Sequence, residues 1–170
     1  GRDALLEALW PDHPPEPALD LLHQATSTLR HLLEPDLPEK FPSRYLVVEG
    51  EHITLVLPEG SQVDFEDFDA LLPTAIQNHR VDLLETALAL YRDDLFPRDR
   101  YSDWSTSRRE HLQEIYLRGL LQLGQIHLER GDYFAALECS RKVLRRDPWS
   151  EDAVLLGMQT YLRLNDQPHA

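Results

Sequence analysis

Eight histidines and one cysteine are spread along a chain of 170 residues. These are the side chains that would hold a metal or attack a substrate, and their spacing supports neither. His23 and His31 lie about two helical turns apart, so one helix face would carry both. No third ligand accompanies them, and no HExxH or paired-cysteine pattern occurs. The carboxylates of Glu66, Asp67 and Asp69, and those of Asp93 and Asp94, would attract a cation, but no twelve-residue calcium loop surrounds them. No Ser–His–Asp order, glycine-rich phosphate loop or close pair of catalytic carboxylates stands out. The expectation is a protein that is not an enzyme and carries no metal and no cofactor. Cys139 falls beside Ala135 and Ala136, where a buried, inert thiol is expected.

Binding chemistry remains. Arg108-Arg109, Arg141-Lys142 and Arg145-Arg146 are the basic clusters. They suit an anion or an acidic peptide, and the last pair equally suits the negative end of a helix dipole. Trp104 and Tyr101 read as part of an irregular connector over 98–105, where an aromatic ring either pins the loop or covers a groove.

Composition narrows the partners. A hydrophobic fraction of 42% is that of a folded domain. No apolar run approaches the ~20 residues of a membrane span, so no membrane partner is expected. The single cysteine fits a reducing cytoplasm. A net charge of −13 opposes nucleic-acid binding, which draws its affinity from neutralised phosphates. Residues 1–62 hold only Arg2, Arg30, Lys40 and Arg44 against eleven acids.

Periodicity gives the elements. Leu5, Leu6, Leu9 and Trp10 make one stripe on a helix from Arg2 to Trp10. Pro11, Pro14, Pro15 and Pro17 form a rigid turn, and a second helix follows from about Ala18 to Leu33. Two β-branched runs, Tyr45–Val48 and His52–Leu57, flank Gly50 and read as a hairpin. Beyond Asp64 the pattern is helical: Phe65 to about His79, Leu83 to near Leu95, about Ser107 to Arg130, Tyr133 to Arg146, and Ser150 to Leu164. Asn165-Asp166 reads as the turn of an incomplete repeat, and Gln167–Ala170 as a frayed end.

Gly124, Gly131, Tyr133, Ala136 and Pro148 fall at the spacings of a tetratricopeptide unit, a helix–turn–helix repeat of about 34 residues. Small residues let the two helices approach, Gly131 supplies a positive φ, and Pro148 stops the second helix. On this register Tyr133 is core, and the first helices offer a concave surface drawing on Leu120, Gln125, His127 and Leu128.

A helix, a turn, a longer helix and a hairpin make up the second half of a winged helix-turn-helix. Leu5 to Pro11, Ala18 to Arg30 and Tyr45 to Val47 resemble the positioning helix, recognition helix and wing of the Streptomyces antibiotic regulatory protein family. Val63 to Phe68, Ala89 to Leu95, Trp104 with Arg108-Arg109, and Asp147-Pro148 with Glu151 resemble that family's bacterial transcriptional activator domain. The resemblance implies a mainly α fold in two parts: residues 1–62, a truncated winged helix-turn-helix, and 63–170, an all-α tetratricopeptide-like domain. Such a winged helix begins with a small sheet and a further helix before the point where Gly1 stands, so the apolar faces of 1–62 are expected to lack partners.

The function implied is transcription regulation. Promoter DNA would meet His23, Gln24, Ser27, Arg30 and Arg44, though a solvated helix face also explains the first three. RNA polymerase or another protein, a small-molecule effector, or a second copy in a homodimer would meet the helical domain at Trp104, Arg108, Arg109, Gln125 and His127. The competing expectation is a protein- or ligand-interaction module of a larger signalling regulator, without DNA contact.

Overall fold

The computed structural model describes residues 1–38 and 41–165. Lys40, the turn expected at Asp166 and the tail Gln167–Ala170 lie outside the described residues. Two compact units are present: residues 1–61 with 102–104, and residues 62–101 with 105–170.

The first unit contains α1 (Arg2–Leu9), α2 (Pro15–Leu33), β1 (Leu46–Glu49) and β2 (His52–Leu55). α2 begins three residues before the position expected from the prolines. Pro15 takes the first helical position and Pro17 the third, where backbone N–H groups have no helical acceptor to lose. β1 and β2 pair antiparallel, Leu46 opposite Leu55 and Glu49 opposite His52, across a two-residue turn whose Gly50 has φ +59°. Glu34, just beyond α2, is the polar anchor. Its carboxylate accepts the Ser43 hydroxyl, the Arg44 backbone N–H at 2.9 Å and Arg44 Nε at 3.1 Å. The Ser43 hydroxyl, helped by Arg44, holds the Glu34 carboxyl below its ordinary value against the cost of burial.

This unit has a thin core. Ala18, Leu22 and Leu46 are its buried apolar residues among those described, and α1 buries none. Leu29, Leu32, Leu33, Phe41, Val48 and Leu55 are exposed.

The second unit is wholly helical: α3 (Asp64–Gln77), α4 (Val81–Leu90), α5 (Asp103–Glu129, its first two residues grouped with the first unit), α6 (Tyr133–Arg146) and α7 (Glu151–Asn165). The chain is thus mainly helical, with a hairpin near its N-terminus followed by an all-helical region. Phe68 and Leu72 of α3, Leu84 of α4, Leu112 and Ile115 of α5 and Cys139 of α6 share one apolar cluster. Leu120, Val143 and Ala153 form another.

The turn between α5 and α6 follows the sequence closely. Gly131 has φ +79°, and Asp132 caps α6 by accepting the Ala135 N–H at 3.2 Å. A Cβ on Gly124 would lie 2.6 Å from Leu156 Cδ2 and 2.9 Å from Cys139 Cβ, so α5, α6 and α7 meet where α5 has no side chain. Ala136 is fully buried beside this contact, and the Ser140 hydroxyl donates to the Ala153 carbonyl at 2.7 Å.

Three local expectations are corrected. α4 stops at Leu90, because side chains rather than helix neighbours hold the following segment. α5 starts at Asp103, so Trp104 stands in a first helical turn and not on a connector. An acidic residue suits that positive helix end, and no breaker separates it from Ser107. Tyr133 is half-buried rather than core.

Gly124→Val forces its new methyls into Leu156 and Cys139, and Ala136→Leu overfills a fully buried site. Each variant is expected to lose about 1–3 kcal/mol of stability in chemical denaturation. Glu114→Val, at an exposed position of α5, controls for placing a branched side chain in the helix. Midpoints equal to the parent's for both helix variants would contradict the close crossing.

Candidate functional site

In the first unit, His23, Ser27 and Arg30 recur at i, i+4 and i+7 on one face of α2. They line a cleft of about 400 Å³ with Arg2, Val48 and Glu51, the last two on the hairpin. Gln24 is exposed and Arg44 lies near the end of the loop that leads to β1; neither lines this cleft. The arginines among the described residues of this unit each touch an acceptor within it. Arg2 lies 3.7 Å from Glu51, an Arg30 Nη donates to the Phe41 carbonyl, and Arg44 pairs with Glu34.

In the second unit, Gln125 and His127 part company. Gln125 lines an open groove between α5 and α7 with Arg118, Gln122 and Gln159, and donates to Glu129 Oε1 at 3.0 Å. His127 lines a different groove, between α4, α5 and α6, and sits 3.5 Å from Asp132. Leu120, expected on the concave surface, is buried instead. Its position on α5 falls one turn from Gly124, on the side that meets α6 and α7.

Arg108 and Arg109 are neighbours in sequence with different tasks. Arg108 pairs with Asp69 at 2.8 Å, beside His111, which approaches the same carboxylate at 2.9 Å. Burial works against the charge on Asp69, but His111 and Arg108 outweigh it and lower its pKa. Arg109 turns to the segment after α4: its guanidinium donates to the carbonyls of Leu95 and Asp99 at 3.0 Å, to that of Arg100, and to the Ser105 hydroxyl. That one side chain replaces the helical N–H donors these carbonyls lack. Trp104, at the start of the same helix, is 48% exposed.

The most developed polar cluster was not among the expected site residues. Tyr91 and Tyr116 stack with centroids 4.3 Å apart, and the Arg146 guanidinium lies 5.2 and 5.4 Å from them. Asp94 accepts from Tyr91 Oη at 2.8 Å and from Arg146. Burial opposes the Asp94 charge, yet these two donors hold its carboxyl below the ordinary value. Burial, with the adjacent carboxylate, pushes the Tyr91 phenol well up. The Tyr91–Asp94 interval is legible as a local pair; Arg146, 52 positions onward, is not. The cluster borders a cleft of about 240 Å³ floored by Phe65, Phe68 and Leu112 and edged by Asp64, Asp93 and Asp94. Such a wall admits a small apolar or cationic group; nothing in it is arranged as a nucleophile with a base. Cys139 is buried, and burial pushes its thiol up to about 11, so it is inert as expected. No group of three or more metal-ligating side chains occurs among the described residues, and no described helix is long and apolar enough to cross a membrane.

Asp94 has a lowered pKa in the folded chain, so the stability it contributes is present above the unfolded value of about 4 and lost as pH falls through the folded one. Asp94→Asn is expected to cost about 1–3 kcal/mol at pH 7, by removing the charge that faces the half-buried Arg146 guanidinium. It also flattens the acid limb of the melting-temperature profile. Parallel acid limbs for parent and variant would show that the cluster contributes no such linkage.

The comparison with known families agrees with this geometry. The bacterial transcriptional activator domain matches residues 63–170, the span holding α3 to α7 and every contact of the Arg109 and Arg146 clusters. No curated protein matches the chain. That domain is a family of transcription activators and not of enzymes. By this match over most of its length, the chain belongs to the bacterial transcriptional activator domain family.

Proposed function

We propose that the chain is part of a transcriptional regulator of the Streptomyces antibiotic regulatory protein type. Residues 1–62 act as a partial winged helix-turn-helix, with α2 as recognition helix and β1–β2 as wing. Residues 63–170 act as the interaction domain, meeting RNA polymerase or another protein, an effector, or a second copy. The observation that carries the reading is the family match over 63–170, preceded by a helix–helix–hairpin order in 1–61. The cleft of His23, Ser27 and Arg30 between α2 and the hairpin supports a DNA-facing side on this unit. Arg109 then serves as the brace of the interaction domain, and the groove holding Gln125 as a polar docking surface.

A second reading is favoured by the charges. Net charge is −13, and Arg2, Arg30 and Arg44 are engaged with acceptors inside their own unit. On that reading the chain is an interaction module of a larger signalling regulator and leaves DNA alone.

The two diverge in a titration of labelled promoter duplex followed by fluorescence anisotropy at low and moderate salt. Under the first reading the parent binds weakly and loses DNA as salt rises, because each neutralised phosphate contributes about −0.9 to the slope of log K against log salt. Asp20→Asn, which removes an exposed negative charge from the second turn of α2, tightens binding by roughly two- to fivefold. Tight binding that ignores salt would contradict this account of the charges. No binding by either protein would leave the interaction module as the function.

A further inference from the structure

The cleft of about 240 Å³ in the helical unit sets an apolar floor beneath an acidic edge. Phe65, Phe68 and Leu112 make the floor, and the last two are buried. Asp64 and Asp93 stand exposed at the edge. One Asp64 oxygen accepts the Phe65 N–H at 2.8 Å, and one Asp93 oxygen accepts the Asp94 N–H at 2.8 Å. Among the described residues neither takes part in an ion pair, whereas Asp69 and Asp94 are taken by Arg108 and Arg146. Two carboxylates over three apolar side chains therefore wait for a cation.

The wall that joins floor to edge is held firmly for an irregular segment. Arg109 donates to the carbonyls of Leu95 and Asp99, and Arg146 donates to Asp94. Phe96, in this wall, has φ +51°, a left-handed conformation uncommon for a bulky side chain. Such backbone persists only where its surroundings fix it, and it gathers at ligand clamps. The rings here also take cations. Arg108 lies 6.0 Å from the Phe65 centroid and Arg146 5.2 Å from that of Tyr91, and both rings line the cleft.

We propose that this cleft binds a small organic amine, its aromatic body on the floor and its ammonium at the edge that carries Asp64 and Asp93. At about 30 Å³ for a water-sized group, the volume takes roughly eight such groups. A ring with a short amine arm fills it; a lysine side chain, five groups on a narrow stem, does not. Arg92 is the cation on the same edge, and two carboxylates outnumber it. The end of α4 and the start of α3 both border the cleft, so their opposite dipoles offset. The net charge of −13 draws cations from a distance. The inference rests on the reading in which an effector meets residues 63–170, and it is independent of contact with DNA.

Isothermal titration of the chain, without DNA, with three probes that share a phenyl ring tests it. Phenethylamine is expected to bind at submillimolar concentration, roughly tenfold tighter than neutral 2-phenylethanol, and phenylacetate not at all. Raising the salt weakens the amine alone. Asp93→Asn weakens it by roughly three- to tenfold, and Arg92→Gln tightens it by roughly two- to threefold. Both variants melt with the parent, because both residues are exposed. The alcohol or the acid binding as well as the amine would overturn the proposal. So would an affinity that neither variant changes, which would put the amine elsewhere, or a blocked lysine peptide binding more tightly than phenethylamine. A chain that ignores the amine yet binds promoter duplex would overturn it while leaving the regulator reading intact. A chain that binds the amine and ignores DNA would support it and count against the winged-helix half alone.

Discussion

Three helices of the second unit cross where α5 presents only a hydrogen. Leu156 Cδ2 and Cys139 Cβ would stand 2.6 and 2.9 Å from any Cβ at Gly124, distances at which a side chain has no room. Because α6 and α7 come this close, Ala136 and Ala153 are fully buried and Ser140 reaches the α7 backbone. The same approach fixes the register of α6, and with it the direction of Arg146 at its far end. Arg146 then reaches Asp94 and the Tyr91–Tyr116 stack. The order of the segment after α4 thus traces back to a missing side chain on α5, with Arg109 as the second brace.

The two units differ in how they are held. The helical unit has a continuous buried cluster and an internal ion pair. The first unit has three buried apolar residues among those described and one polar anchor at Glu34. Sparse apolar burial places it at the low end of local stability. Its described arginines are drawn to Glu51, Phe41 and Glu34, so phosphates would have to compete for them. Under the proposed function, these engaged arginines make any grip on DNA weak and salt-sensitive.

Local signals were legible in the sequence; distant partners were not. Gly131 and Pro148 punctuate α6 through backbone rules that act within a few residues, and α6 runs as read, from Tyr133 to Arg146. Gly50 placed the hairpin for the same reason. The end of α4 and the start of α5 were misplaced because Arg109 stabilises an irregular backbone through side-chain donors that no local pattern announces. Arg108-Arg109 and Arg145-Arg146 look alike as dipeptides, yet Arg108 meets Asp69, Arg109 meets carbonyls and Arg146 meets a tyrosine pair.

The most direct measure of the division of labour is amide hydrogen exchange of the chain with and without promoter duplex at low salt. The account predicts slower exchange in Pro15–Leu33 and Leu46–Leu55 on adding DNA, with rates in Glu151–Asn165 unchanged. Protection confined to the helices after Asp64, with α2 and the hairpin unaffected, would contradict it.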